Sequence, residues 1–286
     1  MFPNRIKYWF WFFTITISVS CDRIIEDAKF PEFEHKLVVT SFISPGDTVS
    51  YITVSSNRRI FGELNQGEDP GNLTGYLSDG FREIEMDTTR SGFKFSPGKM
   101  MIEEGRTYTL RIQSDKGMVT EASCTVPFNR KIEIEVDTFS RTVNYPGMPE
   151  GKKYLADIYL DDYADEENYY RLFGEQVVYG QNFGQYQFQM PFYELGAKGF
   201  SDSGWDGKRS LINTVNFYNP IKSDSSFLKL KIMYTDKSYF IYHKSLDNYS
   251  NDENPFAEIS PVYSNVTGGL GIFAAYTIDS MIIRLK

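Results

Sequence analysis

The stretch Tyr108–Val126, YTLRIQSDKGMVTEASCTV, decides the fold class. Apolar residues of its first part fall at every second position: Tyr108, Leu110 and Ile112. Polar residues fill the positions between them, which is the alternation of a half-buried strand. The turn Ser114–Gly117 then reverses the chain, and an equally alternating segment runs back to Val126. Two such runs joined by a short turn containing Asp and Gly predict a β-hairpin.

Period-two runs extend outward from this hairpin. Upstream runs occur at Leu37–Ile43 and at Val49–Ser55, separated by the turn Ser44–Asp47. A polar Gly/Pro segment at residues 62–72 predicts a loop, and Pro127 ends the hairpin. We therefore predict that residues 36–128 form a small β-sandwich domain resembling an immunoglobulin or fibronectin type III module.

The second half, residues 129–286, also has mainly strand-like periodicity. Strands are predicted in the following stretches: residues 132–136, 154–160, 169–179, 228–234 and 272–285. Residues 236–249 are the best helical candidate, because Tyr239, Tyr242, His243 and Leu246 form one stripe. The chain is therefore expected to be mainly β, with an N-terminal sandwich and a larger β-rich domain containing one short helix.

The N-terminus has the pattern of a bacterial lipoprotein signal. Arg5 and Lys7 precede the apolar run Tyr8–Ser20, and the small residue Ser20 comes directly before Cys21. The run is too short to span a bilayer as a helix. We predict cleavage before Cys21 and acylation of Cys21 with fatty acyl chains such as palmitate. An ordinary secretory signal with a coincidental cysteine is the alternative.

Cleavage divides the chain into residues 1–20, a signal peptide, and residues 21–35, an acidic tether ahead of the domains. The removed segment carries Arg5 and Lys7 and no acid, so the net charge changes from −8 to −10. Such a chain repels phosphate backbones, which argues against nucleic acid as a partner. It also argues against a polybasic attachment to anionic lipid, so the predicted membrane attachment relies on the acyl chains.

Cys21 and Cys124 are the two cysteines of the chain, so acylation of the first leaves no partner for a disulfide. Cys124 lies on the apolar face of an alternating strand together with Ala122. We therefore predict that Cys124 is a small buried core residue rather than a reactive thiol.

The usual signatures of catalysis are weak in this sequence. The two histidines, His35 and His243, have no His or Cys neighbour at metal spacing. Residues 199–203 lack the second glycine of a nucleophile elbow. Residues 269–274 match a dinucleotide-binding glycine pattern only formally, since a β-like segment follows, so a turn into the last strand is predicted. We expect no enzymatic activity, no metal site and no cofactor.

Three acidic segments nevertheless raise a calcium hypothesis. They are residues 161–167 (DDYADEE), residues 202–207 (DSGWDG) and residues 247–253 (DNYSNDE). The second resembles part of a calcium loop but has no Glu at the twelfth position. Solvated turns are the simpler explanation of all three segments.

An aromatic stretch, residues 179–193, mixes Tyr and Phe with Gln and Gly. Such residues can grip a partner or stack on a sugar. We nominate four of them as the partner- or ligand-binding surface: Tyr179, Phe183, Tyr186 and Phe188. The alternative is a β-hairpin whose rings pair across strands in a core, in which case Tyr186 and Phe188 occupy a buried strand face.

Several segments resemble one known family. The most specific are near the C-terminus: residues 254–258 (NPFAE), 262–266 (VYSNV), 268–273 (GGLGIF) and 275–276 (AY). Weaker ones are residues 105–110, 122–127, 168–170 and 200–208. Together they are similar to a family of Bacteroidota outer-membrane lipoproteins catalogued as domain of unknown function 4249. The resemblance covers nearly all of the mature chain.

The resemblance implies a role at an outer-membrane uptake complex, because genes of the family commonly adjoin genes for TonB-dependent receptors. It implies no catalytic residue. We therefore expect an anchored, non-enzymatic accessory or substrate-capturing partner of such a receptor, facing the cell surface. The alternative is a free-standing surface module that binds glycan or peptide, and a third class is a carboxylate-based or calcium-assisted hydrolase.

Overall fold

The strands of the first half form where apolar and polar residues alternate. The computed structural model describes residues 34–58, 69–129, 135–143, 146, 151–180, 184–189, 199–220, 225–250 and 261–285. The eight strands of this half are β1 Leu37–Ile43, β2 Ser50–Ser56, β3 Leu73–Ser78, β4 Glu83–Glu85, β5 Asp87–Thr89, β6 Gly92–Phe95, β7 Thr107–Ser114 and β8 Val119–Thr125.

These strands form two layers with a shared apolar core. One layer has the order β4-β3-β7-β8, and β1, β2, β6 and β5 neighbour one another in the other. Inward side chains such as Leu37, Phe93 and Ile112 are at most 1 % exposed and belong to one cluster. The sandwich-like arrangement predicted for residues 36–128 is therefore present.

The hairpin predicted at Tyr108–Val126 is confirmed. Strands β7 and β8 pair in antiparallel register, with Tyr108 opposite Cys124 and Gln113 opposite Val119. The residues of β8 alternate strictly between exposed and buried, and Cys124 is buried in the sandwich core. The prediction that Cys124 is a core residue is therefore correct.

The described residues of the second half add eight strands and one helix. These are β9 Glu135–Val143, β10 Gly151–Asp161, β11 Tyr169–Gly180, β12 Gly184–Gln189, β13 Phe200–Ser201, β14 Arg209–Pro220, β15 Ser225–Thr235, α1 Lys237–Ser250 and β16 Leu270–Leu285. Sheet β14-β10-β9 contributes Tyr154 and Ile158 to a second apolar cluster, and strands β11 and β15 contribute Leu172 and Leu230. The prediction of a mainly β chain with one helix is confirmed for the described residues.

Strand β16 belongs to both halves of the molecule. Its first residues pair in parallel with β1, from Leu270 opposite Val38 to Ala275 opposite Ile43. Its later residues pair antiparallel with β15, from Tyr276 to Leu285. The sheet consequently continues across the predicted boundary at residues 128 and 129, and residues 35–286 form one compact unit. Where the two domains divide stays a prediction.

One side chain near this junction packs into the other half of the molecule. Phe273 belongs to the second half of the sequence, but it is fully buried in the core of the first half. Its neighbours Val266 and Ala275 are in the same cluster. The reason is the pairing with β1, which places alternate residues of β16 over the sandwich core.

Helix α1 lies against the opposite side of β16. Asp236 begins the helix: its Oδ1 accepts the backbone N–H of Tyr239 at 2.7 Å, which is an N-cap interaction. Its Oδ2 accepts the N–H of Ala275 at 2.9 Å and so holds the helix start against β16. Tyr239 packs with Ile272 in a third apolar cluster, which confirms the predicted helical stripe.

Candidate functional site

Three of the four nominated binding residues lie in described strands of the second half. Tyr179, near the end of β11, is 38 % exposed and its ring meets Phe227 edge-on at 6.0 Å. Strand β12 pairs with β11 so that Tyr186 lies opposite Val178 and Phe188 opposite Gln176. Directly opposed residues share a face of a sheet, so Tyr186 and Phe188 occupy the other face from Tyr179.

The β11 partners of two nominated positions are buried: Val178, opposite Tyr186, and Gln176, opposite Phe188. Gln185 lies opposite the exposed Tyr179. Phe183 lies outside the described residues, as does Cys21. The binding role of all four residues therefore stays a prediction.

Two of the acidic segments meet in space. Asp162 directly follows β10, Asp202 directly follows β13, and Asp206 lies in the turn after Asp202. One carboxylate oxygen of each lies within 4.8 Å of the others. We call these three residues the carboxylate trio. The sequence indicated the segments separately, but their meeting depends on sheet pairing and could not be read from spacing.

Hydrogen bonds already engage each member of the trio. Asp202 Oδ2 accepts the backbone N–H of Asn168 at 2.9 Å and its side-chain amide at 3.3 Å. Asp162 accepts the hydroxyl of Tyr170 and, at 3.0 Å, the backbone N–H of Gly207. These contacts fasten the loop at residues 162–168 to the turn at residues 202–207.

The electrostatics of the trio follow from burial and like charge. Burial, and secondarily the neighbouring Asp162 charge, raises the pKa of Asp202. Burial and the hydrogen bond to Asp162 raise the pKa of the Tyr170 hydroxyl well above its ordinary value. Carboxylate oxygens are ligands for hard cations such as Ca²⁺, which takes six to eight oxygens. The trio could supply three of these, with backbone carbonyls and water as the remainder.

The other acids of the same segment serve different purposes. Glu167 accepts the hydroxyl of Tyr169 at 2.7 Å and forms an exposed ion pair with Lys237 at 2.9 Å. The third acidic segment, residues 247–253, is described only as far as Ser250, within α1.

Two clefts that sequence reasoning did not anticipate flank the first half. One, of about 350 Å³, lies where the sandwich meets the second half. It is lined by residues 105, 125–128, 166–169 and 234–237. The other, of about 720 Å³, lies in the sandwich, and its lining includes Arg58, Asn72 and Arg90. Neither is a continuous sequence motif, since each gathers residues from separate strands.

In the described part of the chain, helix α1 and the residues around it do not form a catalytic site of the serine or cysteine type. His243 packs between Tyr239, at 4.2 Å between ring centroids, and Phe42, at 5.3 Å. Burial lowers the pKa of His243 to about 4. The thiol of Cys124 is buried, which raises its pKa.

These features define a mainly β protein whose two sandwich-like halves share one long strand. The chain belongs to the family described as Domain of unknown function (DUF4249), whose model matches residues 25–282. A comparison with curated proteins finds no match. Within the described residues, no helix has the length and apolar character required to cross a bilayer.

Proposed function

We propose that this protein is a lipid-anchored outer-membrane protein that assists a TonB-dependent receptor by capturing its cargo. The observation that carries the proposal is the N-terminal pattern of Arg5, Lys7, the apolar run Tyr8–Ser20 and Cys21. That order of charge, apolar run and small residue before cysteine is typical of an acylated export signal. In this proposal the chain binds its cargo and does not transform it.

The start of the folded body is compatible with such an anchor. The compact unit begins at His35, and its first strand begins at Leu37. Residues 22–34 then connect Cys21 to the body, and they are rich in acids and contain Pro31. A polar segment of this length lets the body reach a receptor beside it in the membrane.

The binding role is supported by exposed aromatic surface rather than by catalytic geometry. Tyr179, near the end of β11, is 38 % exposed, so its aromatic ring is accessible to a partner. Tyr is a frequent anchor at protein interfaces because its ring buries area while its hydroxyl keeps a hydrogen bond.

The anchor is tested by the mass of the N-terminal peptide of the protein purified from its native membranes. We expect a peptide that begins at Cys21 and carries acyl chains. Cys21→Ala abolishes acylation and releases the protein or leaves the precursor uncleaved. Cys124→Ala is the matched control, because the buried Cys124 takes no part in anchoring. An unmodified peptide spanning residues 15–30 in the mature protein contradicts the proposal.

The receptor link is tested by purification from native membranes in mild detergent. We expect a TonB-dependent receptor to co-purify in stoichiometric amount and to be lost from a Tyr179→Ala variant whose melting temperature is unchanged. Tyr51→Ala is the control, since Tyr51 is exposed on a distant strand. A correctly acylated protein that brings no receptor rules out the receptor role and leaves the anchor intact.

A free-standing module that binds glycan or peptide is the second candidate, and the sandwich cleft favours it. The cleft has about 720 Å³ and a largely polar lining, within the size range of small-molecule sites. If this candidate is correct, Arg90→Ala reduces binding in a glycan and peptide panel, while Tyr179→Ala does not.

A further inference from the structure

The outer face of sheet β11-β15-β16 is only partly covered. Helix α1 lies over its first row, where Arg171 donates to the Tyr239 hydroxyl at 2.9 Å and Met233 is buried against the helix. Beyond the helix the outward positions of the three strands lie side by side, and among them Val177 is fully buried. We call the following residues the outer panel: Phe173, Glu175, Lys229, Lys231, Ile278, Ser280, Ile282 and Arg284.

The outer panel combines exposed apolar side chains with cations. Ile282 is 65 % exposed, Ile278 43 % and Phe173 37 %. The solvent face of a one-sided sheet is ordinarily polar, so three large apolar residues on it require an explanation. They cannot serve the core, because the intervening residues of the same strands already point there.

The charges of the outer panel oppose the charge of the chain. Lys229, Lys231 and Arg284 supply three positive charges against the single acid Glu175, whereas the whole chain has a net charge of −8. In the described part of the chain none of these three cations forms an ion pair. They are therefore available to an anionic group outside the molecule.

We propose that the outer panel rests on an anionic lipid leaflet. Exposed Ile278, Ile282 and Phe173 enter the boundary between headgroups and acyl chains. The long side chains of Lys229, Lys231 and Arg284 extend from the same surface to the headgroup phosphates. Protein segments that bind at a membrane interface are arranged in the same way: their apolar groups insert, and their cations lie at the level of the phosphates.

The shape and the charge of the outer panel favour a membrane surface as its partner over a ligand held in a pocket. The outer panel is a run of neighbouring strands, and neither of the two clefts described above is lined by any of its residues. An otherwise acidic molecule is repelled by an anionic leaflet in every orientation except the one that turns these cations toward it. The outer panel would thus orient the body, which the proposed acyl anchor at Cys21 only holds nearby.

The first experiment measures partitioning onto vesicles. Residues 22–286, which lack the signal peptide and the acylated Cys21, are titrated with vesicles of phosphatidylcholine containing phosphatidylglycerol, and with phosphatidylcholine alone. Each basic residue near an anionic surface is worth about 1 kcal/mol, which is about fivefold in the partition constant. The triple variant Lys229→Gln, Lys231→Gln, Arg284→Gln is therefore expected to bind the anionic vesicles about a hundredfold more weakly.

A control variant with the same charge change keeps the result interpretable. Arg90→Gln, Lys94→Gln, Lys208→Gln removes three exposed cations elsewhere on the surface. We expect it to retain most of the anionic-vesicle binding. Equal weakening of the two triple variants shows that net charge alone governs binding and overturns the proposal, as does equal binding to neutral and anionic vesicles.

The second experiment measures which face enters the membrane. Ile282→Cys is labelled with an environment-sensitive fluorophore; Cys124 is buried, and acylation consumes Cys21 in the proposed function. Anionic vesicles should shift the emission of this probe to the blue, and high salt should reverse the shift. The same probe at Tyr51→Cys, where the native residue is 61 % exposed, should not respond.

The proposal for the outer panel and the proposal for the acyl anchor at Cys21 are contradicted by different results. A shift at position 51 equal to that at position 282 overturns the outer panel as the membrane-facing surface, whatever the state of the anchor. Photo-crosslinks from position 282 in native membranes that go to protein rather than to lipid also overturn it. An unmodified N-terminal peptide removes the anchor but leaves the vesicle response of the outer panel to be measured as before.

Discussion

A single residue, Gly271, permits the close packing of β16 against β1. It lies opposite Val39 in the parallel pairing of β16 with β1, and its φ is +110°. A Cβ at this position would lie 1.9 Å from the carbonyl oxygen of Val39. The sequence predicted a glycine-rich turn into the last strand here, which is correct. It could not show that the glycine permits contact with the first strand.

We predict that Gly271→Ala lowers the free energy of unfolding by about 3 kcal/mol or more, because both the dihedral and the close approach are lost. Gly117→Ala is the matched control: its φ is +86°, but nothing lies within 4 Å of the added Cβ. That variant should lose only about 1–2 kcal/mol, the cost of the left-handed conformation. Equal losses in urea unfolding would show that the approach to Val39 is unimportant.

Cys124 shows which residue environments a sequence can reveal. Alternation within β8 was enough to predict its burial, because a strand places every second residue on the same face. The identity of its neighbours was not predictable, since they include residues from β16, more than 140 positions away. Short-range periodicity gives the face on which a residue lies, and pairing between distant strands determines what that face contacts.

Helix α1 and the residue that caps it contain two groups whose pKa values make stability depend on pH. Burial raises the pKa of Asp236 at its start to about 6. Burial, and secondarily the Arg171 charge, lowers the pKa of His243 in its middle to about 4. An acid with a raised pKa makes the fold less stable as pH increases from about 4 to 6. A histidine with a lowered pKa makes it less stable as pH decreases from about 6.5 to 4.

These two dependences oppose one another over the same pH range, so single substitutions should separate them. Relative to the wild type, Asp236→Asn should lose about 3 kcal/mol as pH falls from 6.5 to 4, because only the histidine dependence remains. His243→Gln should show the opposite trend, losing about 3 kcal/mol as pH rises from 4 to 6.

Urea unfolding across this pH range measures both trends. Asn at position 236 can still accept the N–H of Tyr239. It loses the bond from the N–H of Ala275, and this loss is independent of pH, so it lowers the whole profile without changing its trend. Asp87→Asn, which changes an exposed carboxylate, is the control and should follow the wild type. If either helix variant has the same pH profile as the wild type, the burial of that group is not coupled to folding.

The carboxylate trio joins two loops. A substitution can decide whether the trio is only structural or also binds Ca²⁺. In the presence of a chelator at pH 7, Asp202→Asn removes a buried charge with a raised pKa while an amide oxygen still accepts the N–H of Asn168. We therefore predict a higher melting temperature than that of the wild type, and a smaller difference at acid pH, where Asp202 is protonated.

Asp165→Asn, which changes an exposed acid of the same segment outside the trio, is the control and should leave the melting temperature nearly unchanged. Added Ca²⁺ that raises the melting temperature of the wild type but not of Asp202→Asn would contradict a purely structural function of the trio.

At the scale of the whole molecule, β16 is the feature that sequence reasoning could not supply. The periodicity of residues 272–285 predicted a strand or a strand pair, and one strand, Leu270–Leu285, is present. Its two partners, β1 and β15, are separated by almost 190 residues of chain. Parallel pairing of the first strand with the last leaves no local sequence signal, because no turn joins the two. The meeting of the acidic loops and the make-up of the outer panel also depend on strands that no turn joins, so local sequence did not reveal them.

The shared strand leads to a test of the predicted boundary. Val266, Phe273 and Ala275 fill part of the sandwich core, and Phe273 is fully buried there. A fragment of residues 36–128 lacks these side chains and leaves one edge of β1 unpaired. We predict that it has no cooperative thermal transition. Deleting a buried Phe alone costs about 3–5 kcal/mol, which is comparable with the whole stability of a small domain.

Adding residues 262–276 through a flexible linker should restore a cooperative transition, because this segment supplies both the missing strand and the missing core. The same linker carrying residues 262–276 with Phe273→Asp is the control, and it should fail because it buries an unpaired charge. Circular dichroism melting of the three fragments makes the comparison. A cooperative transition of residues 36–128 alone, at the temperature of the extended fragment, would show that the first sandwich is an independent domain with β16 merely lying against it.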